Sequence, residues 1–340
     1  MGLFPAFFVC LLSMLLMCIP ARGQQSVFPS FGDSRTGTAG LQFLKIAPDA
    51  RSTGLGGAYL AKAEGADALY WNPAGITRMD SGRKADFAAH HTSYFGDVGV
   101  NYGTAALRQS FTRYWGVSIL SLNSAEMDVT TELQPDGTGQ TYRYNNIALG
   151  LSYAQILTDQ FSFGVTLKYA YEGFYNIETH NGLIDLGFQY DIGLQGLGFG
   201  VAVSNFGFNV KPDGTVRLLD VSGERDSTNT SFEDIAAPAS FRLGVKGDLW
   251  SNEDFLVQLN GQLNHPTDNN ETYALGSEVS YKDRFFLRTG YLFGADDSRM
   301  PSLGLGIALP QRFGALRFDY SFNNIGNLGD LHRLGLGLSI

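Results

Sequence analysis

Cysteine is nearly missing from this chain of 340 residues. There are two, Cys10 and Cys18, both inside an apolar N-terminal stretch. If that stretch is removed, no disulfide, thiolate chemistry or thiolate metal site remains. A basic stripe is also missing. Acidic side chains outnumber basic ones by 33 to 24, for a formal net charge of −9, which excludes nucleic acid as a partner class. No G-x-S-x-G, H-E-x-x-H, Walker or C-x-x-C pattern occurs. The adjacent His90 and His91 would face opposite sides of a strand and so cannot share a metal. The expectation is therefore a protein that is not an enzyme, with no cofactor and no metal. Proline is scarce at 11, whereas glycine reaches 42 and Phe and Tyr reach 25 and 16. That mixture suits an all-β protein with close backbone contacts and does not suit a disordered chain.

Long apolar runs are confined to the N-terminus. Leu3 to Ile19 is followed by Pro20 and the small-residue site Ala21-Arg22-Gly23. This reads as a secretory signal peptide over residues 1–23, although no Lys or Arg precedes the run. A retained transmembrane anchor is the competing reading, at the short end for a bilayer core of ~30 Å.

From about Lys84 onward the chain alternates with period two. In QFSFGVTLKYAYEGF, Phe161, Phe163, Val165, Leu167, Tyr169 and Tyr171 share one face. Ser162, Gly164, Thr166, Lys168, Ala170 and Glu172 share the other. The pattern recurs in ASFRLGVKGDLW, ETYALGSEVSYKD, RFFLRTGYLFG and HRLGLGLSI. The segments run longer than the ~5–6 residues of soluble strands and meet the ~9–11 needed for a tilted membrane strand. Fourteen can be placed between residues 84 and 340. Short connections such as Thr158-Asp159 and Gln311-Arg312 oppose longer ones at Ala125–Thr141, Gly173–Asn181 and Phe208–Ala237. Residues 81–340 are thus expected to form an antiparallel transmembrane β-barrel of about 14 strands, with lipid outside and a polar lumen.

A barrel that wide is not filled by its own wall side chains. The preceding segment, residues 24–80, contains DARSTGLGGAYLAKAEGADALYWNPAG, small, Ala-rich and half-helical. It is expected to plug the lumen. Gly150, Gly164, Gly187, Gly244, Gly276, Gly290, Gly304, Gly306, Gly335 and Gly337 fall on the inward face, where glycine lets another backbone approach. Relief of strain in a coiled sheet is the alternative role. Pro73 forces Asn72 out of helical geometry, so Asn72-Pro73-Ala74-Gly75 should end the Ala-rich turn. Trp71 needs a partner for its N–H. Asp49, Arg51 and Asp67 would face the lumen, with Lys168, Arg242, Asp248 and Arg288 as candidate wall partners.

The stretch Phe43 to Ile76 resembles the N-terminal signature of the PorV/PorQ family of outer-membrane barrels of the Bacteroidetes lineage. The matching positions are Asp49, Ala50, Arg51, Gly54, Gly56, Gly57, Ala58, Trp71, Asn72, Pro73, Ala74 and Gly75. The Asn-Pro-Ala triplet is also similar to a motif of FadL-type channels for hydrophobic compounds, a fourteen-stranded fold. The resemblance implies an outer-membrane location and a part in type IX secretion, with a translocon and secreted cargo proteins as partners beside membrane lipid.

Two functions stay open. In the first, external loops dock partners, with Glu126, Asp128, Glu132 and Asp136 as candidates in a loop without Lys or Arg; surface solubility would explain the same charges. In the second, the barrel conducts hydrophobic small molecules past a mobile plug. Phe174, Tyr175, Phe206, Phe208 and Phe232 would then line a pocket, or else belong to an interfacial girdle.

Overall fold

The computed structural model describes residues 37, 39–80, 82–130, 134–219, 225–229, 232–295, 300–312 and 314–340. The proposed signal peptide and Glu132 lie outside the described residues.

Fourteen antiparallel strands close into a barrel. They are β1 (Ala85–Ser93), β2 (Gly99–Arg108), β3 (Arg113–Asn123), β4 (Tyr144–Ile156), β5 (Phe161–Phe174), β6 (Ile177–Asp191) and β7 (Gly198–Gly207). The second half comprises β8 (Ser240–Ser251), β9 (Phe255–Pro266), β10 (Thr272–Tyr281), β11 (Phe285–Phe293), β12 (Ser302–Gln311), β13 (Gly314–Asn324) and β14 (Asp330–Ser339). Each strand pairs with its sequence neighbours. The seam joins β1 to β14 from Asp86 opposite Ser339 to Ser93 opposite His332. Closure leaves no free sheet edge, as a membrane interior demands.

The period-two pattern decides which way each side chain points. Val117, Ile119, Leu149, Leu151, Leu167, Leu186, Leu275, Leu305 and Leu334 all stand exposed on the outer surface. Their polar and small neighbours turn inward, among them Thr104, Ser152, Thr166, Gln189, Gln262 and Arg288, all buried. An apolar exterior around a polar interior is the reverse of a soluble sandwich. Rings gather near the short-turn end of this exterior. Trp115 lies 5.1 Å from Tyr153, and Tyr281 lies 4.7 Å from Phe255 and 6.5 Å from Phe285.

At the opposite end the connections are longer. The 124–143 connection carries a small ladder of Met127–Asp128 with Thr141–Tyr142. The 208–239 connection contains a hairpin of Val216–Leu219 with Arg225–Asn229. One expectation fails here. Gly173–Asn181 is not a loop: β5 and β6 continue through it and reverse at Tyr175-Asn176, with Phe174 directly opposite Ile177. Tyr175 takes the left-handed conformation (φ 55°) that so tight a hairpin needs.

Candidate functional site

Residues 41–80 lie inside the barrel and are almost wholly buried. Asp49 begins the short helix α1 (Ala50–Gly54) as its N-cap, extended at φ −101° and ψ 146°. One carboxylate oxygen accepts from the Ser52 amide at 2.8 Å. The other accepts from the Ser52 hydroxyl at 2.6 Å and from Trp71 Nε1 at 2.7 Å. The cap thus also supplies the indole's partner. Gly56 and Gly57 then reverse the chain at φ 65° and 90°, a conformation glycine adopts without strain.

From Gly54 to Ala74 the chain circles the wall at backbone distance. A Cβ built on Gly304 of β12 would lie 3.0 Å from Gly54 Cα. One on Gly290 of β11 would lie 2.0 Å from the Leu55 carbonyl carbon, and one on Gly276 of β10 would lie 2.6 Å from the Leu55 oxygen. Gln262 of β9 accepts from the Tyr59 and Leu60 amides at 3.1 and 2.9 Å. Gly244 of β8 and Gly200 of β7 face Leu60 and Ala61, and Gln189 of β6 donates to the Leu60 and Ala63 carbonyls. Gly187 of β6 and Gly164 of β5 face Asn72, Pro73 and Ala74. Six of these glycines are directly paired across strands: Gly276 with Gly290, Gly200 with Gly244, and Gly164 with Gly187. The expected set omits Gly200. Of the rest, Gly150, Gly306, Gly335 and Gly337 meet wall side chains, such as Ser118 Oγ, Arg288, His90 and Arg317.

The Asn-Pro-Ala segment is fixed as its chemistry requires. The helical turn α2 (Ala68–Trp71) stops at Asn72, which is extended at φ −155° and ψ 105°. The Asn72 side chain accepts from the Ala74 amide at 3.1 Å, capping the 3₁₀ turn Pro73–Arg78. Its amide nitrogen also donates to the Phe188 carbonyl at 2.9 Å. One side chain thereby caps a helix and ties it to the wall.

Charges complete the lining. Fully buried Asp67 accepts from Arg51 Nη1 at 3.3 Å and from Arg317, and it pairs with His90 Nε2 at 2.8 Å. The chain of pairs runs Glu64, Arg51, Asp67, Arg317, Asp319, Arg288, Glu278, Lys62. Signs alternate throughout, so these ions, buried apart from the half-exposed Glu64 at the end of the chain, neutralise one another, which is the condition for keeping them charged away from water. Burial works to raise the Asp67 carboxyl, but Arg317, His90 and Arg51 hold it well below the usual carboxylate range. For Glu64, burial is likewise outweighed by Arg51 and Lys62, and its carboxyl falls to about 2.

The wall partners expected for the plug charges are different ones. Lys168 pairs with Asp185 at 2.6 Å, Arg288 with Glu278 and Asp319, and Asp248 with Gln258, all within the wall. Arg242 lies over the rings of Trp71 and Tyr70, at 5.1 and 5.6 Å. His90 faces inward and His91 outward. In the 124–143 connection Glu126, Asp128 and Asp136 are exposed. Arg143, just past the stretch without cations, comes within 3.7 Å of Glu126. Above the plug, at the long-loop end, a cavity of about 520 Å³ opens. Phe174, Tyr175, Phe206, Phe208 and Phe232 are not among its lining residues.

A family model described as type IX secretion system protein PorV matches residues 30–182, which take in the whole plug and β1 to β5. That match, together with the closed fourteen-strand barrel, supports a PorV-type outer-membrane barrel. No curated protein sequence matches it. Solved structures share the architecture of this PorV-type barrel. The Ralstonia pickettii toluene transporter TbuX aligns with a TM-score of 0.57 at 13% identity, over 86% of this chain and 97% of that one. The Pseudomonas putida toluene transporter TodX aligns at 0.55 and 12%, over 86% and 96%. A Pseudomonas aeruginosa FadL homologue aligns at 0.50 and 11%, over 86% and 97%. At these identities the likeness is one of fold. By the asymmetry of outer-membrane barrels, the long-loop end is the external one.

Proposed function

We propose that this PorV-type barrel is a non-enzymatic component of type IX secretion that binds secreted cargo, or the translocon delivering it, at its external loops. The observation that carries the reading is the seating of the plug. Residues 54–75 are held by backbone contact with seven wall glycines and by a neutral chain of buried ion pairs. A lumen occupied in that way leaves the external end as the working surface. There Glu126, Asp128 and Asp136 offer exposed carboxylates suited to a basic patch.

The test is affinity purification from detergent-solubilised outer membranes, comparing the full chain with a variant lacking residues 126–139. Secreted proteins or a large translocon partner should accompany the full chain and be lost from the variant. A barrel recovered alone in both cases, carrying bound lipid or fatty acid, would reverse the assignment. Uptake of hydrophobic small molecules, the second reading, is supported by fold likeness to toluene transporters alone.

A further inference from the structure

The external cavity is lined by plug and wall together, and its charges are one-sided. Among the described residues that line it are three cations, Lys45, Arg242 and Arg333, and no carboxylate. This is unexpected in a chain of net charge −9. Lys45 is neutralised by Asp268 at 2.9 Å. The other two have no acidic partner within salt-bridge distance among the described residues. Arg333, 5% exposed, donates to the Ala47 carbonyl at 3.1 Å and to Asn323 Oδ1 at 2.7 Å, both neutral acceptors. Arg242, 6% exposed, is stacked on Trp71 and Tyr70, and its buried Nη1 has no hydrogen-bond partner. The Asp49 carboxylate, hydrogen-bonded to the neutral donors Ser52 and Trp71, acts on Arg333 only through space, and its single charge cannot balance both arginines. Uncompensated buried cations are costly, and an unmade hydrogen bond from a charged donor adds to that cost.

The rest of the lining identifies what relieves it. Asn264, Asn269, Asn270, Asn323 and Asn324 supply amides, and Ser240 and Ser302 supply hydroxyls. Most of these amides already have a partner within the protein and keep a spare donor or acceptor position for a polar framework, while Leu292, Met300, Ile325 and Leu331 add apolar surface beside them. We propose that this vestibule is a binding site for an organic carboxylate carried on a hydrogen-bonding framework, with Arg242 and Arg333 taking the anion beside the Trp71 ring. Arginine suits the task because its planar fork matches a carboxylate. The inference is independent of the secretion reading: either function could be accompanied by such a ligand.

The experiment is calorimetric titration of the purified barrel in detergent with four probes: a tetra-alanine peptide with a free C-terminal carboxylate, the same peptide amidated, glucuronate, and laurate. Wild type should bind the free-acid peptide or glucuronate, and the pattern between those two tells whether a peptide or a sugar acid is the source. The amide should bind about tenfold or more weakly than its acid. R242Q and R333Q should each lower the affinity of the bound acid by a similar factor, in barrels shown to be folded by heat-modifiable migration. If R242Q does not fold, R333Q and the acid-to-amide comparison decide. The proposal is overturned if amide and acid bind alike, if folded R242Q and R333Q both bind as wild type, if laurate alone binds, or if no carboxylate titrates.

Discussion

Gly290→Ala places one methyl group where the plug backbone already lies. The new Cβ would stand 2.0 Å from the Leu55 carbonyl carbon, 2.2 Å from its oxygen and 2.3 Å from the Gly56 nitrogen. These are main-chain atoms, so no side chain can swing aside. Leu55 is also confined from the neighbouring strand by Gly276. Overpacking in a tight interior costs about 1–3 kcal/mol, and contact with backbone on two sides puts this case at about 3. At about 1.4 kcal/mol per tenfold, the equilibrium for undocking the Gly54–Ala58 segment should shift by roughly a hundredfold. Gly182→Ala is the control, because a Cβ there meets nothing within 4 Å. The assay is limited proteolysis of the detergent-solubilised barrel, following cleavage after Arg51 or Lys62, beside single-barrel conductance in a planar bilayer. Gly290→Ala should accelerate cleavage and admit ion current, and Gly182→Ala should do neither. If both variants match wild type, the glycines are not a seat for the plug and serve only the curvature of the sheet.

Asp67→Asn removes the acid shared by Arg51, Arg317 and His90; it should cost about 3–5 kcal/mol, read as a lower temperature for loss of the heat-modifiable form. Acid should loosen the plug. The folded values of Asp67 and Glu64 lie below the unfolded values of about 3.9 and 4.3, so their contribution is complete above about pH 4.5 and is lost as pH falls toward 2. Proteolytic release of the plug measured at pH 7, 5 and 3 checks this, with Glu64 adding the smaller share because its side chain is 43% exposed. Asn72→Ala deletes both the cap on Ala74 and the bond to the Phe188 carbonyl and should cost about 1–3 kcal/mol, measured by thermal melting. Trp71→Phe keeps the ring but removes the N–H bonded to Asp49; the same melt should fall by about 1 kcal/mol or more.

The barrel was legible because lipid imposes an unambiguous rule on alternate residues. Leu149, Leu151, Leu167 and Leu305 must all face the same solvent, and the period is visible without any knowledge of pairing. Where that solvent ends, legibility ends too. Beyond the membrane Glu178 and His180 need no apolar face, so β6 reads as a loop although its ladder continues. The plug could be anticipated from small residues preceding the strands, and the inward glycines from their parity. Gly200 escaped because it sits in a glycine run that carries no alternation. The charge chain was illegible for a different reason. Lys62 meets Glu278 and Asp67 meets Arg317; only closure of the sheet makes them neighbours. The vestibule is likewise assembled from strand ends distant in sequence.

The glycine circuit also bears on how such a molecule can be made. Opposed pairs such as Gly276 with Gly290 and Gly164 with Gly187 leave the inner surface without side chains at the height where the plug crosses it. A sheet closing by itself would enclose a backbone-lined hollow there, its circumference set by strand number and stagger alone. The segment that fills it is translated first, and it touches β12, β11 and β10 as well as β6 and β5. A barrel assembled without residues 41–80 would carry an unfilled interior, so wall and plug make one packed unit only together.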